Sequence, residues 1–309
     1  MCSTPSLSVI PDLVTMGKHS ACSASAEPGR SVVTKAGRGR PVALALGGGS
    51  ARGFAHIGVL KVIERERLRP DIIVGTSMGA VMGALYAAGY AAVDMERLIL
   101  DLEPRRLLYL AGPRPSKTAM FDLRGFTDLM RDLLPKDFSE LGVMFACVSV
   151  DLSTGEAVLH HDGDLVAAIR ASVSVPVVFK PACADGRLLV DGGIVDPVPV
   201  DAARELGAHC VVAVSVSTIA RRASEQRSRR RRDADAVLPD PGGRWRIAIE
   251  AVDIMERRLA AFALEHADLV IAPRVEEYSQ LSFLDGAALI ALGETAAEEA
   301  LPELRILMR

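Results

Sequence analysis

The sequence predicts an α/β protein, a three-layer sandwich in which helices cover both faces of a mostly parallel central sheet. Short, apolar, β-branched runs alternate along the chain with longer helical patterns, which is the order that βαβ units require. Half of the 309 residues are hydrophobic, so the chain can bury one sizeable core.

Composition excludes some classes of protein and favours others. A net charge of -3 argues against a general nucleic-acid binder. The five cysteines are scattered without the spacing of metal ligands, and they are typical of reduced thiols. The first 20 residues lack the basic and apolar regions of a signal peptide. We therefore expect a cytoplasmic protein.

Residues 1–40 are rich in small residues without periodicity and are predicted to be a disordered leader, so the folded domain is expected to span 41–309.

The first strand and the loop after it form the first candidate site. The strand Pro41–Leu46 is followed by Gly47-Gly48-Gly49-Ser50-Ala51-Arg52-Gly53 and then by an amphipathic helix that begins near Phe54. A strand, a glycine-rich loop and a helix make an anion-binding geometry.

This loop could bind a dinucleotide, bind a phosphate group or form an oxyanion hole. A dinucleotide fingerprint needs an acidic residue at the end of the next strand, but that strand ends in Gly75-Thr76-Ser77. A phosphate-binding loop needs a Gly-Lys-Ser/Thr sequence, which is missing from it. We favour an oxyanion hole formed by the N–H groups of Gly47, Gly48 and Gly49.

The second strand leads into the most informative motif of the chain. Asp71-Ile72-Ile73-Val74-Gly75-Thr76-Ser77-Met78-Gly79 has the form of a nucleophile elbow, in which a tight turn presents one hydroxyl at the start of a helix. Gly75 and Gly79 fit because side chains there would collide with the strand or the helix. The motif therefore marks Ser77 as a candidate nucleophile.

The same stretch also permits a membrane-spanning interpretation. No residue from Ile72 to Val93 is charged, which is long enough to cross a bilayer. The run is poor in Leu and Phe, however, and is bounded by Asp71 and Asp94 instead of basic anchors. We favour a buried strand and helix, with an integral membrane protein as the alternative.

The middle of the chain continues the alternation of strands and helices. We predict, in order, a helix over Asp94–Asp101, a loop or lid over Pro104–Met120, a helix near Gly125–Leu134, a hairpin of Val143–Val150 and Glu156–His160, a helix over Leu165–Ser172 and an extended segment over Ser174–Phe179.

A third motif follows the strand Arg187–Asp191. Asp191, Gly192 and Gly193 form either an ordinary turn or a functional one. Because Asp191 ends a strand, we place it at the edge of the sheet where Ser77 and the glycine loop also lie. A stiff loop then leads into a helix that ends near Gly207.

The last third contains a charged insertion. A strand over Cys210–Ser217 precedes residues 218–243, where seven arginines and two acids lie between Arg221 and Asp233. We predict a disordered loop, either a solvated linker or a contact with an anionic membrane surface. A helix over Trp245–His266, a strand over Leu269–Ala272 and a helix within Asp285–Leu307 complete the core.

A serine nucleophile needs a base, and the residues leave two hypotheses open. Most of the histidines are placed away from Ser77 by their positions in the chain: His19, His160, His161, His209 and His266. His56 begins the helix after the glycine loop and is best interpreted as a packing residue. A Ser77–Asp191 dyad is favoured over a triad that adds His209 or His266.

The three motifs, in this order and spacing, resemble those of the patatin-like phospholipase family, especially its bacterial members, over Pro41 to Leu307. The resemblance implies a patatin-like fold, with Ser77 as nucleophile and Asp191 as base. It also implies an oxyanion site at the N–H groups of Gly48 and Gly49 near Arg52, and no metal or other cofactor. Ser50 departs from the family, which usually has glycine there, and serine is disfavoured at positive φ.

The activity that the resemblance implies is hydrolysis of acyl esters in lipids. The expected partners are a lipid or acyl ester substrate and, peripherally, an anionic membrane surface, but no nucleic acid, while the oligomeric state is left open. Two alternatives remain: an α/β-hydrolase with a Ser-Asp-His triad, and a weakly active regulatory protein on a hydrolase fold.

Overall fold

One eight-stranded sheet organises the protein. The computed structural model describes residues 40–101, 121–217 and 243–308. The strands of these residues are β1 (Val42–Leu46), β2 (Ile72–Thr76), β3 (Met144–Asp151), β4 (Ala157–His160), β5 (Ala182–Ala184), β6 (Arg187–Asp191), β7 (Cys210–Val214) and β8 (Leu269–Ile271). They lie in the order β5-β6-β3-β2-β1-β7-β8, and β4 also pairs with β3. The five strands from β3 to β8 in that order are parallel, whereas β4, β5 and β6 add antiparallel pairs.

Helices cover both faces of the sheet, as the alternating pattern predicts. The helices of the described residues are α1 (Ala55–Arg65), α2 (Met78–Ala87), α3 (Ala92–Leu100), α4 (Arg124–Leu133), α5 (Leu165–Ser172), α6 (Val200–Glu205), α7 (Gly243–Leu264), α8 (Gly286–Glu299) and α9 (Leu301–Leu307). The larger hydrophobic cluster contains residues of α1, α2, α5 and α8. A second cluster, on the other face, contains residues of α6 and α7. The three-layer α/β class is therefore confirmed.

The long strand β3 explains how antiparallel β6 reaches the carboxyl edge of the sheet. Four consecutive residues of β3, from Cys147 to Val150, pair with β4 along one edge. The first two of them also pair with β2, and the last two also pair with β6. A strand has two edges, so β2 and β6 must share the edge that β4 does not occupy. Along that edge β2 and β6 run toward each other and meet end to end.

The element boundaries agree with the sequence predictions within a few residues, apart from two segments and the short strand β5, which was not predicted. Ser174–Phe179 is a turn instead of an extended segment, since the N–H of Phe179 bonds to the carbonyl of Val175 and Val177 has a φ of 74°. The predicted last helix is two helices, and Pro302 lies at the start of the second. The predicted lid (Pro104–Met120), the leader up to residue 39 and the insertion up to residue 242 lie outside the described residues.

The uncharged run from Ile72 to Val93 forms the buried strand β2, the helix α2 and the start of α3. Among the residues that the structure describes, none of the helices combines the length and the apolar character needed to cross a membrane.

Candidate active site

Ser77 occupies a strained turn between β2 and α2. Its backbone has φ 54° and ψ -120°, a conformation that non-glycine residues rarely adopt. A Cβ at Gly75 would lie 2.5 Å from the backbone of Ala80, and one at Gly79 would lie 2.1 Å from the carbonyl oxygen of Leu46. Both glycines are therefore needed to let the strand, the turn and the helix approach so closely, as the motif predicts.

A side chain that the sequence analysis did not single out supports this turn. The N–H of Ser77 donates a hydrogen bond of 3.0 Å to Oγ of Ser172, the last residue of α5. Ser172 is fully buried and Ser77 is 9% exposed. Because bulk water is excluded, this bond fixes the backbone from which the Ser77 hydroxyl projects. The sequence carried a weak signal for it, a polar residue on the apolar side of a short helix.

Asp191 lies next to Ser77, but it arrives there from the opposite direction. It ends β6, which is antiparallel to β3, and it pairs with Ser149, while Thr76 pairs with the adjacent Val148. The expectation that Asp191 reaches the carboxyl edge of the sheet is correct. The sequence did not predict the direction of this strand: β6 runs antiparallel to β3 and meets β2 end to end.

The environment of the Asp191 carboxyl makes it a stronger base than a solvated aspartate. Burial raises its pKa from an ordinary 3.8 to about 7, and this rise is opposed by the Ser77 side chain and by the N–H of Gly193. Oδ1 accepts the Gly193 N–H at 2.8 Å. Oδ2 is buried, and no described residue donates a hydrogen bond to it. An unsatisfied carboxylate oxygen therefore faces a site where the Ser77 hydroxyl is close enough to affect its pKa.

The glycine loop offers different N–H groups from those expected. The N–H of Gly47 donates to the carbonyl of Val214 at 3.0 Å, and that of Gly48 donates to the carbonyl of Pro197 at 2.9 Å. Gly47 and Gly48, which we expected to be oxyanion donors, therefore have their N–H groups paired with backbone carbonyls. Within the described part of the chain, the N–H groups of Gly49 and Ser50 make no such bond. Ser50 has a φ of 51°, so the position does require the conformation that serine disfavours.

Arg52 lies behind the loop. Its Nε donates to the carbonyl of Tyr278 at 2.8 Å, and Nη1 lies 3.5 Å from the carboxylate of Asp253. The side chain is 1% exposed and does not line the cleft that Ser77 faces. These contacts hold the guanidinium of Arg52, which the resemblance places near the oxyanion site, against Asp253 and the carbonyl of Tyr278.

Among the residues that the structure describes, His56, His209 and His266 do not provide a base near Ser77. Nε2 of His56 lies 2.8 Å from the carbonyl of Gly47, and burial lowers the pKa of this imidazole to about 4. His56 is therefore a neutral donor that fixes the glycine loop. The backbone N–H of His209 donates to the carbonyl of Pro41, which places His209 at the amino edge of the sheet. The imidazole of His266 pairs with Asp201 at 3.0 Å on the surface. The triad alternative consequently has no support in the geometry.

A narrow cleft joins these groups. Its lining includes the backbone of the glycine loop, both candidate catalytic residues and part of α7: Gly48, Gly49, Ser50, Ser77, Val175, Pro176, Asp191, Gly193, Val252, Glu256 and Gln280. Glu256 is a second carboxyl of this cleft. Burial, followed by the nearby charge of Asp191, raises its pKa from 4.5 to about 8. No motif marks Glu256 in the sequence, since it lies alone in a helix that follows a charge-rich insertion.

In the described ranges, no group of three or more His, Cys, Asp or Glu side chains could hold a metal ion. The cleft groups instead combine a hydroxyl, a carboxylate and unpaired N–H groups, which is the set needed for acyl transfer through a covalent intermediate.

A family model described as patatin-like phospholipase matches residues 44–204, more than half of the chain. The chain belongs to the patatin-like phospholipase family. The matched range contains the glycine loop, the elbow and the turn at Asp191. Gly75, Gly79, Gly192 and Gly193 thus all fall within the family domain. At Gly192 a Cβ would lie 2.4 Å from the carbonyl oxygen of Val148, which explains glycine at that position.

Several relatives are similar over this family domain. An uncharacterized NTE family protein of Mycobacterium tuberculosis is 39% identical over 177 residues, which are 57% of this chain and 49% of that protein. Patatin-like phospholipase domain-containing protein 6 of Homo sapiens is 36% identical over 191 residues, 58% of this chain and 14% of that protein. The crystal structure of VipD from Legionella pneumophila matches 85% of this chain and 67% of its own with a TM-score of 0.46 and 14% identity. The aligned region thus spans about half, or much less, of the length of these two sequence relatives.

Proposed function

We propose that this patatin-like protein is a serine hydrolase that cleaves acyl esters of lipids through a Ser77–Asp191 dyad. The observation that carries the proposal is the meeting of β2 and β6 on one edge of β3. It brings the strained Ser77 and the unsatisfied Oδ2 of Asp191 into one cleft. Membership of the family supports a lipid as the source of the ester.

In the first step Ser77 Oγ attacks the ester carbonyl carbon while its proton moves to Asp191. The π electrons of the carbonyl move onto its oxygen, and the free N–H groups of Gly49 and Ser50 stabilise that charge. The N-terminus of α2 adds a favourable dipole close to Ser77. In this proposal Gly49 remains a donor and Ser50 takes the place of Gly47 and Gly48, whose N–H groups are paired with backbone carbonyls.

Collapse of the tetrahedral intermediate breaks the bond to the alcohol, which takes the proton from Asp191. The acyl group remains on Ser77 as an ester. Water then attacks this ester, giving its proton to Asp191, and the fatty acid leaves as Ser77 regains its hydrogen. A pKa of about 7 suits Asp191 to both directions of proton transfer at neutral pH.

Product analysis tests this proposal. The purified protein is incubated with a mixed lipid extract, and released fatty acids and lysolipids are measured by mass spectrometry. We expect fatty-acid release by the wild-type protein and loss of nearly all of it in Ser77→Ala, on the order of 10⁴-fold or more. Ser139→Ala, at an exposed serine, is the matched control. Release by Ser77→Ala at more than about a tenth of the wild-type rate would refute the assignment of the nucleophile.

A further inference from the structure

Glu256 lies in α7 directly beside the turn that presents Asp191. A Cβ at Gly193 would be 2.8 Å from Oε1 of Glu256 and 3.2 Å from Oδ1 of Asp191. The two carboxyl groups therefore lie within about 6 Å of each other. Both also line the cleft that contains Ser77. The mechanism proposed above uses only one of these two carboxyls.

The second carboxyl has no partner of its own in the described ranges. One helical turn earlier in α7, Asp253 accepts Gln280 at 2.6 Å and pairs with Arg257 at 3.1 Å. Glu256 has no hydrogen bond or ion pair of this kind with any described residue. Among the described residues that line the cleft there is no Lys, Arg or His, so charge on Glu256 is not neutralised from within the cleft.

The position of Glu256 relative to a bound ester follows from the proton transfer. Asp191 has to return its proton to the departing alcohol oxygen, so the alcohol part of the ester must lie on the Asp191 side of the cleft. Glu256 flanks Asp191 and consequently faces the alcohol part.

We propose that Glu256 is a specificity residue that makes the cleft select acyl esters whose alcohol part carries no negative charge close to the ester oxygen. The proposal rests on the hydrolase function given above and adds the substrate class. Neutral glycerides and lipids whose headgroup charge is balanced fit this class, whereas a free carboxylate or an unbalanced phosphate next to the ester does not. The physical reason is that two like charges are brought together in a cleft with little water.

The selectivity should strengthen as the pH rises. Burial, Asp191 and Asp253 raise the pKa of Glu256 to about 8, and the guanidinium of Arg52 opposes this rise only in part. Asp191, with a pKa of about 7, ionises first. The cleft therefore gains its second negative charge as the pH passes through about 8, and repulsion of an anionic alcohol group grows over that range.

A matched pair of substrates tests this inference. 4-Butyryloxybenzoate carries a carboxylate on its alcohol part, and its methyl ester is the neutral analogue. The ratio of kcat/KM for the neutral and the anionic ester is measured at about pH 6.5 and about pH 9, so that effects common to both substrates cancel. We expect the wild-type ratio to rise about tenfold over this range, which is the effect of like charges a few ångströms apart in a partly solvated site.

Glu256→Gln keeps the shape of a protonated Glu256 and cannot ionise. We expect its ratio to be independent of pH and close to the wild-type ratio at the lower pH. Glu265→Gln, at an exposed residue just beyond α7, is the control for a general change of charge and should behave like wild type.

Two results would overturn the inference: a wild-type ratio that does not change with pH, or a Glu256→Gln ratio that changes as much as wild type. The wild-type measurement decides the matter even if the variant does not fold. Failure of the proposed function looks different, because the wild-type protein would then hydrolyse neither ester.

Discussion

Replacement of Asp191 by Asn should stabilise the protein while it removes the activity. In the native state burial holds the pKa of Asp191 near 7, whereas in the unfolded chain it returns to about 3.8. The native carboxyl therefore keeps its proton over a range in which the unfolded one has lost it. Stability contributed by this group is fully present below about pH 3.8 and is lost as the pH rises through about 7.

The size of the effect follows from that shift. From about pH 5 to the native pKa of about 7, the free energy of unfolding of wild type falls by about 1.4 kcal/mol for each pH unit. Over the whole range from about pH 5 to about pH 8.5, wild type therefore loses about 2 to 3 kcal/mol. Asn cannot ionise, so Asp191→Asn escapes this loss. The melting temperature of Asp191→Asn minus that of wild type should therefore increase by about 5 to 10 °C from the lower to the higher pH. Turnover should fall nearly as far as in Ser77→Ala.

Thermal unfolding followed by circular dichroism across this pH range checks the prediction. Asp162→Asn, at an exposed aspartate, serves as control and should follow wild type. The reasoning fails if Asp191→Asn gains no stability over wild type as the pH rises, since Asp191 would then be as well solvated in the native state as in the unfolded chain.

Three further predictions concern the site, and a fourth concerns the arginine-rich insertion. Gly49→Ala would put a Cβ 2.5 Å from Cγ2 of Val216, so the donor should move and turnover should fall roughly 10²-fold in an ester assay. Ser50→Gly should keep or slightly raise the activity and should stabilise the fold by about 1 kcal/mol in denaturant titrations, because it relieves the positive φ; a strong loss of turnover would instead reveal a role for the hydroxyl. Ser172→Ala should lower kcat with little change in KM, and Ser172→Thr, which keeps an Oγ, should restore part of it. Removal of residues 221–232 should weaken sedimentation with vesicles that contain phosphatidylglycerol at low salt but leave hydrolysis of a soluble ester unchanged, and equal sedimentation would make this segment a plain linker.

The sequence predicted the parts of the site that depend on local geometry. The elbow at Ser77 could be recognised because a strand, a tight turn and a helix demand glycine at fixed spacing, as Gly75 and Gly79 show. Ser50 was marked by the resemblance instead, because the family usually has glycine there, and its φ of 51° shows why. Asp191 was placed correctly because strand ends gather functional residues, although the direction of its strand was not foreseen.

The parts that depend on distant pairing could not be predicted in this way. Whether Gly48 or Gly49 has a free N–H depends on the carbonyl of Pro197, about 150 residues away in the chain. Ser172 reaches the nucleophile, and Glu256 reaches the base, through tertiary packing of helices that carry no motif for the role. The free N–H groups of the loop, the hydrogen bond that holds the Ser77 turn and the second carboxyl of the cleft can therefore be identified only in the folded protein.

Covalent labelling of Ser77 tests the central claim most directly. The wild-type protein, Ser77→Ala and Asp191→Asn are treated with a fluorophosphonate, and the modified peptide is identified and timed by mass spectrometry. The account predicts one rapid modification at Ser77, none at that site in Ser77→Ala, and labelling at least about 10²-fold slower in Asp191→Asn, where the base is lost. Labelling of Asp191→Asn at the wild-type rate, or no labelling of Ser77 in the folded wild-type protein, would contradict it.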